Sequence, residues 1–231
     1  MSFPINKYHF KITSLFEDMP KEESEFLKAR AIRQEEKAGK VIYREGSYSS
    51  GVYILKKGKI KIYQTNKDGK EQIVYIYQKG EILGYRPLLC DSPHPVTAKA
   101  LEDVVILFIP QKYFLSALDK FPILSKKLLT NLSFEFSVWI NKLSIFAQQQ
   151  VKERVALTLL ILNEKYKIDG RENMVVTINL SREDIANFVG TTIETLVRML
   201  RYFKDEKIIS SRGRKITIIK PKELEKISES Y

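Results

Sequence analysis

The segment from residue 180 to residue 200 reads LSREDIANFVGTTIETLVRML, and the interpretation of the whole chain starts from it. Ser181 can cap a helix because its hydroxyl accepts from a free backbone N–H, and Asp184 completes a pattern similar to a capping box. The helix would bury Ile185, Phe188 and Val189. Gly190 follows, at a position where a sharp turn between helices often needs left-handed backbone. The segment therefore predicts two short helices joined by a tight turn.

Thr191 or Thr192 caps the second predicted helix, and with Thr191 as the cap Glu194 completes a second capping box. One face of this helix carries the apolar residues Ile193, Leu196, Met199, Leu200 and Phe203. Its opposite face presents Thr192, Glu194, Thr195, Arg198, Arg201 and Tyr202. Side chains of this kind near a helix N-terminus can read DNA base edges: Arg donates twice to guanine, and Glu accepts from the cytosine amino group. The alternative is that Glu194 and Arg198 form a solvated pair worth ~0.3–0.5 kcal/mol.

A basic hairpin is predicted directly after this helix. Two β-branched strands, Lys207–Ile209 and Ile216–Ile219, flank a turn over residues 210–215. Arg212, Arg214 and Lys215 would lie against DNA phosphates, which set register and salt dependence rather than sequence choice. Residues 198–215 hold seven basic and two acidic residues, within a chain of formal net charge +11. The alternative is an ordinary solvated turn.

Upstream, short apolar runs alternate with glycine-containing turns at the spacing of an antiparallel sandwich or barrel. The predicted strands are Val41–Tyr43, Gly51–Leu55, Lys59–Gln64, Gln72–Tyr77 and Val104–Ile109. A helix, Glu22–Ala31, is predicted before them. Between this region and Ser181, an amphipathic helix, Val151–Tyr166, ends at Asp169-Gly170 and is followed by a short strand, Met174–Ile178.

Residues 111–146 follow a helical period that is interrupted near Phe121-Pro122. Beyond the proline, apolar residues are spaced 3, 4, 3, 4 and 3, as in a coiled-coil seam. They are Leu129, Leu132, Phe136, Trp139, Leu143 and Phe146. We expect a dimer helix, the alternative being that the stripe packs on this chain's own β-domain. Gln148–Gln150 is a predicted hinge.

Composition excludes several classes of function. No stretch approaches the ~20 apolar residues that span a bilayer, and Met1–Lys11 lacks the apolar core of a signal peptide. A single cysteine, Cys90, cannot form an intrachain disulfide and fits a reducing cytoplasm. With only His9 and His94 as histidines, we expect no metal site and no cofactor. No phosphate loop or histidine–carboxylate pair indicates catalysis, so we do not expect an enzyme.

The segment 180–200 closely resembles the helix-turn-helix of the Crp/Fnr family of bacterial regulators. The resemblance extends over nearly the whole chain and implies an α+β fold with three parts. These are an antiparallel β-roll sensor like a cyclic-nucleotide-binding domain (residues 1–120), a dimerisation helix (121–147) and a winged helix-turn-helix (148–231). It further implies a cytoplasmic homodimeric transcription regulator whose partners are double-stranded DNA and RNA polymerase.

By position, Glu194 and Arg198 match the family's base-reading residues. Ile193 stands where the cyclic-AMP receptor protein has a third reader, an Arg, and where the Fnr branch has an apolar residue. Val197 stands where the Fnr branch often has a reading Ser. We therefore expect a half-site that keeps the contacts of Glu194 and Arg198 and differs elsewhere.

The sensor departs further from the family pattern. The cyclic-nucleotide cassette begins as expected at Gly80–Gly84, and Thr97-Ala98 resembles its end. Tyr85, however, replaces the ribose-binding Glu, and Pro95 or Val96 falls at the position of the phosphate-binding Arg. The resemblance places a ligand pocket at Gly84, Tyr85, Arg86, Val96 and Thr97, where Arg86 could substitute from a different direction. Because an unpaired buried anion is costly, we do not expect cyclic-AMP binding.

The sensor's input is therefore left open. Cys90 alone cannot hold an iron–sulfur cluster, and a plain buried thiol is favoured over a redox role. An unidentified small effector could bias the β-roll, or the regulator could be independent of ligand. A nucleotide-sensing subunit of an enzyme is the alternative from another class. Specific, salt-sensitive DNA binding would separate the first two from the third.

Overall fold

The computed structural model describes residues 3–8, 16, 19–167 and 176–229. The chain divides into two compact units. The β-rich unit comprises residues 11–135, and the C-terminal unit comprises residues 1–10 and 136–231.

The β-rich unit contains two antiparallel sheets of four strands each, with the orders β1-β8-β3-β6 and β2-β7-β4-β5. The strands are β1 Ile32–Glu36, β2 Val41–Tyr43, β3 Gly51–Lys57, β4 Ile60–Thr65, β5 Glu71–Tyr77, β6 Ile82–Leu83, β7 Thr97–Ala100 and β8 Val104–Pro110. Nearly all of the apolar side chains of β3, β4 and β5 are buried, because these strands carry the β-branched and aromatic runs seen in the sequence. The predicted antiparallel β-roll and the α+β class are confirmed.

All five strands predicted for this unit are present within two residues of their expected ends. Three strands were missed. Strand β1 reads IRQEE and is largely exposed at a sheet edge, where it pairs with β8, so it lacks the apolar alternation that signals a strand. Strand β6 has two residues, and β7 was assigned only as the end of the cassette.

Four helices begin in this unit: α1 Lys21–Lys28, α2 Tyr85–Leu89, α3 Gln111–Lys120 and α4 Pro122–Gln148. Helix α1 therefore starts one residue before, and ends three residues before, the predicted helix Glu22–Ala31. The predicted interruption at Phe121-Pro122 is confirmed, because Phe121 has extended backbone between α3 and α4. A core of Leu27, Ile54, Ile82, Phe114 and Leu124 joins these helices to the sheet.

The C-terminal unit contains four helices and a three-stranded antiparallel sheet of order β10-β11-β9 in its described part. Its elements are a short 3₁₀ turn at Ile5–Lys7, α5 Val151–Tyr166, β9 Thr177–Asn179, α6 Arg182–Val189, α7 Ile193–Asp205, β10 Ile209–Arg212, β11 Lys215–Ile218 and α8 Pro221–Ser228. Helix α5 has its predicted bounds. The turn signal Asp169-Gly170 and the first two residues of the predicted strand Met174–Ile178 lie outside the described residues. Helix α8 was not predicted.

No helix among the described residues is both long enough and apolar enough to cross a membrane.

Candidate nucleic-acid interface and sensor cassette

Helix α6 begins and ends as the sequence predicts. The Ser181 side chain accepts from the backbone N–H of Asp184 at 2.9 Å, and the Ser181 hydroxyl donates to the Asp184 carboxylate at 2.6 Å. Gly190 ends the helix with φ 73° and ψ 50°, the left-handed conformation expected for the turn. Ile185, Phe188 and Val189 are buried. The two-helix unit is confirmed down to its capping residues.

The N-cap of α7 is Thr192 and not Thr191, the other residue that the sequence allowed. The Thr192 side chain accepts from the backbone N–H of Thr195 at 3.2 Å. Helix α7 therefore begins at Ile193, so that Glu194 lies in its first turn, near the positive end of the helix dipole.

The two faces of α7 separate as expected, with one exception. Leu196, Leu200 and Phe203 are buried, and Met199 is half-buried. Ile193, which the sequence places on the apolar face, is 43% exposed at the start of the helix. The predicted base-reading face is exposed at Thr192, Glu194, Arg198, Arg201 and Tyr202 and half-buried at Thr195.

Glu194 and Arg198 do not form the pair that was the alternative interpretation. The Glu194 carboxylate accepts from its own backbone N–H and from the Thr192 hydroxyl, and these bonds hold its pKa below the usual range. Among the described residues, Arg198 forms no ion pair, whereas Arg201 lies 3.9 Å from Asp205. Both candidate readers are thus exposed and unpaired with each other.

The basic hairpin consists of β10, a two-residue turn at Gly213-Arg214, and β11. Both strands are shifted toward the tip relative to the prediction: β10 runs from Ile209 to Arg212 and β11 from Lys215 to Ile218, so four of the six residues expected as the turn are paired. Gly213 has φ 56°, and a Cβ there would meet nothing within 4 Å, so its backbone conformation rather than crowding favours glycine. Arg212, Arg214 and Lys215 are exposed at the tip.

Arg182, which sequence reasoning missed, fastens this hairpin to the start of α6. One guanidinium nitrogen donates to the Ser211 hydroxyl at 2.7 Å and to the Gly213 carbonyl at 2.8 Å. Burial lowers the pKa of Arg182. The contact fixes where the hairpin tip lies relative to the helix-turn-helix, and no local pattern signals it.

Arg154 on α5 was also missed. Its guanidinium donates to the carbonyl of Gln149 at 3.1 Å and to the carbonyl of Gly190 at 3.3 Å. Gln149 in turn donates to the Ser228 carbonyl at 2.9 Å. One side chain therefore ties the segment between α4 and α5 to the turn before α7.

Helix α4 presents its predicted seam on the outside. Leu129, Phe136 and Leu143 are each about two-thirds exposed (64–68%) and Phe146 is exposed, whereas Leu132 and Trp139 are half-buried. A different set of α4 residues is buried: Leu124, Leu128, Asn131, Glu135, Val138, Lys142 and Ile145. The alternative, in which the seam is core of this chain's own β-domain, does not fit these exposures.

Four of the five residues predicted to form the ligand pocket are buried. Gly84 has φ 82°, and a Cβ there would lie 3.2 Å from the Tyr53 ring. Tyr85, Val96 and Thr97 are buried, and the Thr97 hydroxyl accepts from the backbone N–H of Glu45 at 3.1 Å. Of the two candidates for the missing arginine position, Val96 is buried and Pro95 is exposed.

Arg86 and Tyr85 both contact one carboxylate on α4, that of Glu135. The Tyr85 hydroxyl donates to Glu135 at 2.9 Å, and an Arg86 guanidinium nitrogen lies 3.6 Å from the other Glu135 oxygen. Burial raises the pKa of Tyr43 and of Tyr77, and the positive charge of Arg86 opposes that rise in both. Glu135 is 2% exposed, so this carboxylate lies inside the β-rich unit.

Cys90 requires a correction. It is exposed rather than buried, because it follows the short helix α2 at the surface, where its thiol lies 3.3 Å from the Arg86 carbonyl. Within the described ranges, no three His, Cys, Asp or Glu side chains are grouped so that they could hold a metal ion.

Comparison with known proteins matches both parts of the chain. Residues 33–121 match the model of the cyclic nucleotide-binding domain, and residues 153–227 match that of the Crp-like helix-turn-helix domain. The chain is 28% identical over 186 residues to the fumarate and nitrate reduction regulatory protein of Vibrio cholerae, covering 80% of this chain and 74% of that protein. It is 26% identical over 188 residues to the transcriptional activator protein Anr of Pseudomonas protegens, covering 81% and 77%.

Solved structures share the fold. FixK2 from Bradyrhizobium japonicum superposes with a TM-score of 0.76 at 21% identity, covering 87% of this chain and 98% of that one. The c-di-GMP responsive global regulator CLP from Xanthomonas campestris gives a TM-score of 0.74 at 18% identity, covering 86% and 99%.

Proposed function

Because this chain belongs to the Crp/Fnr family of transcription regulators, we propose that it binds double-stranded DNA sequence-specifically as a homodimer, through α7 and the basic hairpin. The observation that carries the proposal is the state of Glu194 and Arg198. Both are exposed in the first half of α7, and they are not paired with each other. Neither charge neutralises the other, so both are available to a partner.

The two residues suit opposite halves of a base pair. Arg198 can donate two bonds to guanine, and Glu194 can accept from the amino group of cytosine. Thr192, Thr195 and Arg201 lie beside them and would complete the contact. Ile193 and Val197 are 43% and 47% exposed, so the apolar departures from the family pattern also face outward, where they change which bases fit.

The basic hairpin would contact the backbone of the DNA. Arg212, Arg214 and Lys215 are exposed at a tip that Arg182 holds in place. Cations there add affinity that depends on salt and is independent of sequence.

The homodimer would form along the seam of α4. Four of its six apolar side chains are exposed in the single chain, and such a stripe is costly to leave in water. Pairing two copies would set two recognition helices for half-sites about one helical turn apart. We keep 1–120, 121–147 and 148–231 as the proposed functional division of the chain.

We further propose that the sensor does not take cyclic AMP. Tyr85 and Val96 stand at the positions from which the family binds ribose and phosphate, and both are buried. An effector of other chemistry, or none, then sets the state of the regulator. We assign no catalytic role and no cofactor, and we keep RNA polymerase as a partner and the cytoplasm as the location.

The test is a fluorescence titration of the full chain on genomic fragments that include its own promoter. We expect sequence-specific binding that weakens steeply as salt rises. Arg198→Ala should lose the preference among fragments while non-specific binding persists. Lys222→Ala removes an exposed positive charge from α8 and serves as the matched control, with the preference retained. If Arg198→Ala discriminated among sequences as well as the parent does, α7 would not be the reading helix.

A further inference from the structure

The interior of the β-rich unit holds a polar cluster made by three different parts of the fold. Tyr43 and Tyr77 come from the two edge strands of one sheet, Arg86 comes from α2, and Glu135 comes from α4. Each of the two tyrosines interacts electrostatically with both Arg86 and Glu135. The charge of Arg86 therefore interacts with these two hydroxyl groups and with one carboxylate.

The guanidinium of Arg86 is held loosely for such a site. Its nearest acid, Glu135, is 3.6 Å away, beyond the ~2.7–2.9 Å of charge-assisted hydrogen bonds. Over the part of the chain that the structure describes, the Arg86 side chain donates no hydrogen bond. A guanidinium presents five N–H donors in a planar fork that matches a carboxylate or phosphate group. Most of that capacity is unused here.

The tyrosine hydroxyls add neutral donors. Burial keeps the pKa of Tyr77 well above its usual value, so its hydroxyl stays protonated at any physiological pH. Tyr77 is 2% exposed. A protonated hydroxyl can donate one hydrogen bond to an acceptor such as a carboxylate or phosphate oxygen.

Access differs between the two charged partners. A third of the Arg86 side chain is exposed, whereas Glu135 is almost fully buried. Of the two partners, Arg86 is therefore the one that an anion from solvent can reach.

We propose that Arg86 is the anion-recognition residue of the sensor, and that the effector carries a carboxylate or phosphate group that replaces Glu135 beside it. This inference rests on the proposed sensor role of the unit. Glu135 is the resident counter-ion, and an anion that takes Arg86 removes one of the groups that stabilise the charge of this buried carboxylate. Because losing a counter-charge in the interior is costly, the segment of α4 around Glu135 rearranges when the anion binds. That segment lies between Leu132 and Phe136 of the seam, so occupancy biases the face proposed for dimerisation.

The experiment uses the full chain with inorganic phosphate and acetate as probes, at an ionic strength held constant with sodium chloride. Binding is followed by calorimetry and by the fluorescence of Trp139, the chain's one tryptophan, which lies four residues beyond Glu135 on α4. Glu135→Gln removes the competing carboxylate and keeps the shape of the side chain. We expect it to bind one or both probes at least tenfold more tightly than the parent, and to gain thermal stability on binding.

Three variants make the result specific. Glu102→Gln also removes a carboxylate paired with a base, Lys59, but at the surface of the same unit, and should bind the probes as the parent does. Adding Arg86→Gln to Glu135→Gln should abolish the gain. Adding Arg86→Lys to Glu135→Gln keeps the positive charge without the planar fork, and should lower the affinity for the probes at least tenfold relative to Glu135→Gln alone. This second double variant keeps the test valid if the variant with two glutamines does not fold.

Two results would overturn the proposal. One is that Glu135→Gln binds both probes no more tightly than the parent, and the other is that adding Arg86→Lys to it leaves the affinity unchanged. Cyclic AMP is tested as a third probe. If Arg86→Gln still bound cyclic AMP, the chain would have a nucleotide site that does not use Arg86, and this would also overturn the proposal. None of these readouts involves DNA. Loss of specific DNA binding with the anion response intact would count against the proposed function alone.

Discussion

The guanidinium of Arg154 donates to the carbonyl of Gly190 over 3.3 Å, which joins α5 to the turn of the helix-turn-helix. Its second bond, to Gln149, reaches the segment that precedes α5. Because Arg154 bonds both, we expect a rotation or shift of that segment to move the turn from which α7 starts. The contact gives the helix-turn-helix a mechanical link to the end of α4.

Replacing Arg154 by Gln should weaken specific DNA binding about tenfold, because one amide cannot bond both carbonyls and a buried acceptor left without a donor costs roughly 1–3 kcal/mol. Arg154→Lys keeps the charge and should lose nearly as much. Salt dependence should be unchanged, since Arg154 is not placed on the DNA. Fluorescence anisotropy at several salt concentrations measures both quantities, with Lys222→Gln as the control for net charge. Equal loss in Lys222→Gln, or none in Arg154→Gln, would contradict the link.

Replacing Arg212 or Arg214 by Gln should lower affinity for all sequences alike. The slope of log Kobs against log salt should become less steep by about 1 for each phosphate contact removed. The ranking of DNA fragments should stay the same, in contrast to Arg198→Ala. A hairpin that is merely solvated would leave the slope at its parent value.

Replacing Phe136 and Leu143 by Lys should produce monomers, because these side chains are 66% and 68% exposed on the seam and carry little of the chain's own core. Sedimentation velocity measures the change. Phe134→Lys is the matched control: Phe134 is 63% exposed on the same helix but lies about 160° around it from Phe136. A dimer that survives the double substitution would remove the seam from the interface, and dissociation by Phe134→Lys alone would move the interface to the other flank.

His94 should make stability depend on pH. It is buried and stacked on Tyr43 at 3.8 Å, and burial lowers its pKa from 6.5 to about 4. The unfolded chain therefore binds the proton more readily, so stability is complete above pH 6.5 and falls as pH drops from 6.5 to 4. The loss is at most about 3.5 kcal/mol, since one pKa unit corresponds to about 1.4 kcal/mol.

Urea unfolding of the parent and of His94→Phe between pH 4 and pH 7 checks this expectation. Phe keeps the stacked ring and cannot titrate, so the free energy of unfolding of the parent should fall relative to that of the variant as the pH drops. Both proteins keep His9, whose titration therefore cancels in the comparison. A difference that is constant across this pH range would mean that His94 titrates normally in the folded protein.

The helix-turn-helix was the most predictable part of the molecule because its signals are local. The Ser181 cap, the left-handed Gly190 and the buried face of α6 each depend on residues within one or two turns of each other. The sequence left open whether Thr191 or Thr192 caps α7, since both can cap a helix and the difference lies in a single hydrogen bond, from the backbone N–H of Thr195. The strands β3, β4 and β5 were found for the same reason, because each is a run of mostly β-branched and aromatic residues that are consecutive in the sequence.

Burial was less predictable than secondary structure. Ile193 belongs by period to the apolar face of α7 but is exposed, and Cys90 lies at the surface although cysteine is often buried. Periodicity gives the direction of a side chain from its helix or strand. It does not give the extent of the surface that the element meets.

The sequence by itself determined the order of most helices and strands, the two-helix motif with its capping residues, and the apolar seam of α4, because each is a pattern of near neighbours. Only the tertiary structure decided which polar groups meet. Arg182 bonds Ser211, 29 residues away, Arg154 bonds Gly190, 36 residues away, and Tyr85 bonds Glu135, 50 residues away. Such pairs leave no periodic trace, since a buried polar group needs one partner at bonding distance and the whole fold must bring that partner there.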